Sequence, residues 1–156
     1  ALVHKGKSEI GVVYAPALKK LYYALRGKGA YLEDGLMKSI QEIHVSKKKE
    51  DLIALLSRSH SMTKELQFLQ EFHEVIAESI EVGSSLKGCL IAEGKADVYY
   101  RFEPIWQWDT AAMQCIVEEA GGVMEYVDGS KIRYNLESVK HPQGFYMLNN
   151  RANLWL

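Results

Sequence analysis

"EVGSSLKGCLIAEGKADVYYRF", residues 81–102, is the stretch on which the fold turns. It opens on the end of a strand-like run, "EVIAESIEV" (74–82), breaks at Gly83, Ser84 and Ser85, and resumes with Leu86, Cys89 and Leu90 at helical spacing. Ser84 is placed as a helix cap and Gly94 as the stop, after which "ADVYYRF" (96–102) reads as another strand. Strand, loop, helix, strand is the unit of a layered α/β domain. Upstream, "DLIALLS" (51–57) has the continuous apolar character of a buried strand, and "TKELQFLQEFH" (63–73) carries Leu66, Leu69 and Phe72 behind the candidate cap Thr63. Downstream, "QWDTAAMQCIVEEAGG" (107–122) predicts a helix with Met113, Ile116, Val117 and Ala120 buried and Gly121 as its end. Short strands follow at "GVMEYV" and "GFYML", joined through the Asp128-Gly129 turn.

The first forty residues follow another rhythm. A strand-like "ALV", the turn "HKGK", and aromatic and β-branched runs near 9–15, 19–26 and 29–33 predict an antiparallel meander, punctuated by Pro16 and Gly35. The pattern changes near residue 40, which divides the chain into an antiparallel part, 1–40, and an α/β part, 41–156. The expected class is therefore α/β in layers (α+β), an antiparallel meander followed by a mixed sheet with flanking helices.

Composition narrows the function. The 156 residues are 47% hydrophobic and 25% charged, with a net charge of −1, which suits a globular core and offers no broad basic field for nucleic acid or an anionic membrane. No apolar run reaches the roughly 20 residues of a membrane span, and "ALVHKGKSEIGVV" lacks the regions of a signal peptide. Cys89 and Cys115 sit inside apolar helical patterns and read as buried thiols, so the expected compartment is the cytoplasm. The five histidines, His4, His44, His60, His73 and His141, show no zinc spacing.

Any anion must be held locally, and "VGSSLK" offers the means. Gly83 permits close approach of backbone, Ser84 and Ser85 add donors, and Lys87 adds a cation; an ordinary serine cap explains the same residues. Lys87 stands where the second glycine of a G-x-S-x-G nucleophile elbow belongs, which disfavours an α/β-hydrolase. "SRSH" (57–60) gathers an arginine, two hydroxyls and His60 at a strand end, and Arg101 can pair with a carboxylate or fork onto a phosphate. Asp109 reads locally as a cap or as a ligand for a hard cation.

Together "GVVYAPALKKLYYALRGKGAYL", "SRSH", "VGSSLKGCLIAEGKADVYYRF" and "WDTAA…EEAGG" resemble, in order, the inositol monophosphatase superfamily, and within it the 3'(2'),5'-bisphosphate nucleotidases of sulfur assimilation. The resemblance implies the C-terminal portion of an αβαβα sugar-phosphatase sandwich, with residues 1–40 the remnant of its antiparallel sheet. It implies that Asp109 is a metal ligand facing substrate, and that Gly83, Ser84, Ser85, Lys87, Arg101 and His60 bind a small nucleotide bisphosphate. The cofactor implied is Mg²⁺, used to remove the 3'-phosphate of 3'-phosphoadenosine 5'-phosphate. Most of the family's metal-binding carboxylates come from a Glu-Glu pair and a D-P-x-D-G-T motif ahead of the segment matched here. The expected partner is accordingly the missing N-terminal portion, and the chain alone is expected to be inactive, with no catalytic residue of its own. Cationic Lys87 and Arg101 favour the nucleotide branch; an inositol monophosphatase and a non-catalytic nucleotide- or phosphate-binding module are the alternatives.

Overall fold

A computed structural model describes residues 1–58 and 63–156. The meander forms as expected: β1 (Leu2–His4), β2 (Lys7–Ala15), β3 (Lys20–Leu25), β4 (Ala30–Asp34) and β5 (Ser39–Ile43) pair in sequence order, each antiparallel to the next. β5 carries this first sheet across residue 40 to Ile43. Alternation along the strands sends Tyr22, Ala24, Ala30 and Leu32 inward. On the opposite face Val12, Tyr14 and Ile40 are exposed, and Tyr23 stacks on Tyr31, its cross-strand partner, at 5.6 Å.

The second sheet is mixed. β6 (Leu52–Ser57) lies parallel to β7 (Ile76–Val82) and to β8 (Val98–Arg101); β10 (Phe145–Leu148) then runs antiparallel to both β8 and β9 (Val123–Tyr126). The spatial order is β7-β6-β8-β10-β9. Between the sheets lie α2 (Leu86–Ala92) and α3 (Gln107–Glu119), while α1 (Thr63–Glu71) covers the far face of the second sheet. The layers are thus sheet, helix pair, sheet, helix, with residues on both sides of residue 40 sharing the core around Tyr22, Cys89 and Ile116. Cys89 and Cys115 are buried free thiols. Among the described residues no helix is long and apolar enough to cross a membrane.

Three local readings are revised. In α1, Leu69 is buried but Leu66 is exposed; Phe68 takes the inward place and, with Phe72, joins Tyr100 and Trp155 in an aromatic cluster. The Asp128-Gly129 turn forms, with Gly129 N–H donating to Tyr126 O, but the chain from it to β10 is long rather than a tight hairpin, and part of it packs along α3. The cap of α2 is not Ser84, whose φ of +57° is left-handed; Ser85 holds the cap position without a capping hydrogen bond of its side chain.

The close approach of β2 to α3 depends on Gly11. A Cβ there would stand 2.2 Å from Ala112 O and 3.1 Å from Cys115 Cβ, backbone and rigid side chain that cannot swing away. Gly11→Ala is therefore expected to destabilise the protein by about 3 kcal/mol, roughly a 10 °C fall in Tm, in a thermal melt. An unchanged melt would mean that the two layers are not in this contact.

Candidate functional site

The parallel strands β6, β7 and β8 end on one edge of their sheet, where open α/β sheets place ligands. Ser57 ends β6 and Arg58 follows it, Gly83 to Ser85 follow β7, and Arg101 ends β8. Together with Asp109 of α3 these residues line a cavity of about 460 Å³, within the range of small-molecule sites.

The N-termini of α2 and α3 are tied together here, because Ser85 Oγ donates to Asp109 O at 3.1 Å. Their close packing relies on Gly88, whose Cβ would lie 2.6 Å from Met113 Cβ. Asp109 is not a cap. Trp106 holds that position and Asp109 is the third helical residue, its N–H donating to Trp106 O. A carboxylate there is still favoured by the positive end of the helix, and among the described residues no hydrogen bond occupies it.

Lys87 and Arg101 are both buried in the same cavity, 6% and 8% exposed. Lys87 Nζ donates to Val82 O (3.3 Å) and Ser84 O (3.2 Å) and lies 5.0 Å above the Tyr99 ring, itself anchored to Ser57 Oγ at 2.9 Å. Burial and then the Arg101 guanidinium push the Lys87 pKa down to about 8, with Asp109 acting in the opposite direction. Arg101 Nε donates to Glu103 O at 3.0 Å. Two adjacent buried cations against one carboxylate form an electrostatic demand for an anion.

Gly83, Ser84, Ser85, Lys87, Arg101 and Asp109 are thus brought together around one cavity. His60 lies outside the described residues. The space around Gly83 is open, so the strained backbone that shapes the loop is at Ser84. Tyr99, Trp106 and Lys140 also line the cavity and were missed. Trp106 stacks on Trp108 at 5.1 Å, both exposed, and Lys140 Nζ stands 5.7 Å from the Trp106 ring centre.

A second missed feature is the buried chain of bonds behind Asp109. Gln107 N–H donates to Val139 O, Gln107 Nε2 to Ser138 O, and Asn135 N–H to Gln107 Oε1, so residues 135–141 bind the entry of α3. Thr110 Oγ1 lies 2.7 Å from His141 Nε2, whose Nδ1 is 2.8 Å from Tyr126 OH. Thr110 Oγ1 also lies 3.1 Å from Gln107 O, so one chain of bonds joins the first turn of α3 to His141 and Tyr126. Burial holds the His141 pKa at about 4, and the neutral ring serves this chain at pH 7. A lone histidine in sequence gave no sign of it.

The oxygen of Asp109 has the right chemistry for a hard cation. It is one ligand rather than a site: among the described residues no three His, Cys, Asp or Glu side chains are placed to hold a metal.

Fold and cavity together define a layered α/β protein with a cationic cleft at its parallel strand ends. The sequence profile of the inositol monophosphatase family matches residues 1–152, and the chain belongs to that family. It is 42% identical over 134 residues to the 3'(2'),5'-bisphosphate nucleotidase CysQ of Salmonella typhimurium, covering 86% of this chain and 52% of the relative. It is 34% identical over 139 residues to inositol monophosphatase 2 of Saccharomyces cerevisiae, covering 79% and 45%. The crystal structure of CysQ from Bacteroides thetaiotaomicron, described as a bacterial member of the same family, superposes with a TM-score of 0.83 at 32% identity, over 96% of this chain and 61% of that one. The chain spans about half the length of the curated relatives it matches.

Proposed function

We propose that this chain is the nucleotide-holding part of a cytoplasmic, Mg²⁺-dependent phosphomonoesterase that removes the 3'-phosphate of 3'-phosphoadenosine 5'-phosphate, leaving AMP. The observation that carries this reading is the pair of buried cations, Lys87 and Arg101, in one cavity with Asp109. A nucleotide with two separated phosphates needs positive charge at both, and buried side chains held in place by the surrounding backbone are suited to the phosphate that is not cleaved. Ser84 and Ser85 complete that subsite, and Gly83 leaves room beside it.

Asp109 would be the residue of this chain that holds Mg²⁺, with the other protein ligands supplied by the part of the family's length that this chain does not span. Bound there, the ion would neutralise phosphoryl oxygens and supply an activated water. The chain's own residues bind and orient: Lys87 and Arg101 fix the distal phosphate, and the bonds through Gln107, Thr110 and His141 hold the first turn of α3, and with it Asp109, in place.

The test is phosphate release by the complete enzyme carrying this segment, with 3'-phosphoadenosine 5'-phosphate and myo-inositol 1-phosphate as competing substrates. A kcat/KM at least about tenfold higher for the nucleotide is expected from one additional charge-assisted contact. Preference for inositol phosphate would make the chain part of an inositol monophosphatase. Nucleotide binding with no turnover of either would make it a binding module.

A further inference from the structure

The stretch of chain that joins Arg101 to Asp109 lines the cavity with apolar groups. Pro104, Ile105 and Trp106 follow one another there, the first two half-buried and Trp106 43% exposed, so each keeps open surface. Trp106 is a large aromatic left uncovered in a ligand-sized cavity, where a flat apolar partner has most to gain from meeting it.

The indole is held as a platform. Trp106 has extended backbone angles (φ −80°, ψ 148°) and forms an antiparallel bridge with Lys140. On either side of it His141 N–H donates to Ile105 O at 2.8 Å and Gln107 N–H to Val139 O at 2.9 Å. One face of the ring is backed by Trp108, with ring centres 5.1 Å apart and planes 5° from parallel. Over the ring stands Lys140 Nζ, 5.7 Å from its centre, on an exposed side chain. So long and wet a cation–π contact is weak, and the flexible lysine stem can swing clear when a planar group arrives.

We propose that Trp106 is the platform on which the substrate's nucleobase stacks, and that it sets the preference for a nucleotide over a sugar or polyol phosphate. The base takes the indole face that Lys140 covers, and the phosphates lie towards the two ends of the same stretch, at Arg101 and at Asp109. A saturated ring has no π-face to offer the indole, whereas every base has one, so Trp106 discriminates against substrates without a base rather than between bases. The inference rests on the phosphatase reading above and adds to it the residue that recognises the base.

The complete enzyme carrying this segment tests it, with 3'-phosphoadenosine 5'-phosphate and the corresponding methyl riboside 3,5-bisphosphate, which lacks the base, as substrates. In Trp106→Ala the ratio of kcat/KM for the nucleotide to that for the base-free compound is expected to fall about tenfold, with the change in KM; in Trp106→Phe, which keeps an aromatic face, it stays within about threefold of the parent. Binding of the nucleotide should also quench tryptophan emission in the parent and do so less in Trp106→Phe, a readout independent of turnover. A ratio unaltered in Trp106→Ala, including one in which both substrates lose equally, would overturn the inference while leaving the reading of the function intact. A parent that turns over neither bisphosphate would overturn both.

Discussion

Replacing Asp109 with Asn in the complete enzyme is expected to lower kcat/KM for 3'-phosphoadenosine 5'-phosphate by at least about a thousandfold, roughly 4 kcal/mol of transition-state stabilisation. Asparagine has nearly the same shape but no charge to offer a hard cation. The fold should not notice: the Asp109 carboxylate has no hydrogen bond among the described residues, and the backbone of α3 is held by Ser85, Gln107 and Thr110. An Asp109→Asn protein with the parental melting temperature and no turnover is the expected pair of results. The charge also supports protonation of Lys87, so in this variant the lysine should titrate below its parental value of about 8. Near-normal turnover would reduce Asp109 to a charge that merely favours its helix terminus.

The second large effect belongs to Lys87. Because the free protein's lysine has a pKa of about 8, its charge is present at pH 7 and mostly gone at pH 9. Affinity for the bisphosphate should therefore fall about tenfold between those pH values, with proton uptake on binding near pH 8 seen as a buffer-dependent enthalpy. Lys87→Met should weaken binding roughly tenfold to a hundredfold at pH 7 and remove the pH dependence, so the two proteins converge as pH rises. Stability moves the other way. A cation whose folded pKa lies below its unfolded value of 10.5 opposes folding below about pH 8, and that cost fades as pH rises towards 10.5. Methionine removes it at pH 7. A parental affinity that stays unchanged from pH 7 to 9 would show that Lys87 does not meet the ligand as a cation.

Much of the architecture was legible because it is written in local periodicity. Alternation in β2 to β4, the apolar run of β6 and the stripe of Met113, Ile116, Val117 and Ala120 each point to one face, and the structure buries those faces. The site was legible for a related reason: its cations and hydroxyls follow directly on strand ends, so neighbours in sequence are neighbours in the cavity. What escaped depends on distant pairings. Lys140 reaches the cavity only because residues 135–141 bind the entry of α3, and His141 meets Thr110 and Tyr126 across the fold. Leu66 fitted the helical period of α1, yet Phe68 takes the inward place because the aromatic cluster of Tyr100 and Trp155 lies on its side. Serines near a helix start likewise suggest a cap, but backbone strain put Ser84 outside the helix altogether.

The central claim is that these residues form the substrate-holding part of a phosphatase site completed elsewhere in the family's length. It is tested most directly by measuring Mg²⁺-dependent phosphate release from 3'-phosphoadenosine 5'-phosphate, with this chain alone and with the chain joined to the remainder of a full-length relative. The expected result is no turnover by the chain alone, with bisphosphate still bound, and full turnover by the joined protein. Hydrolysis by the 156-residue chain at a rate comparable to the full-length enzyme would contradict it.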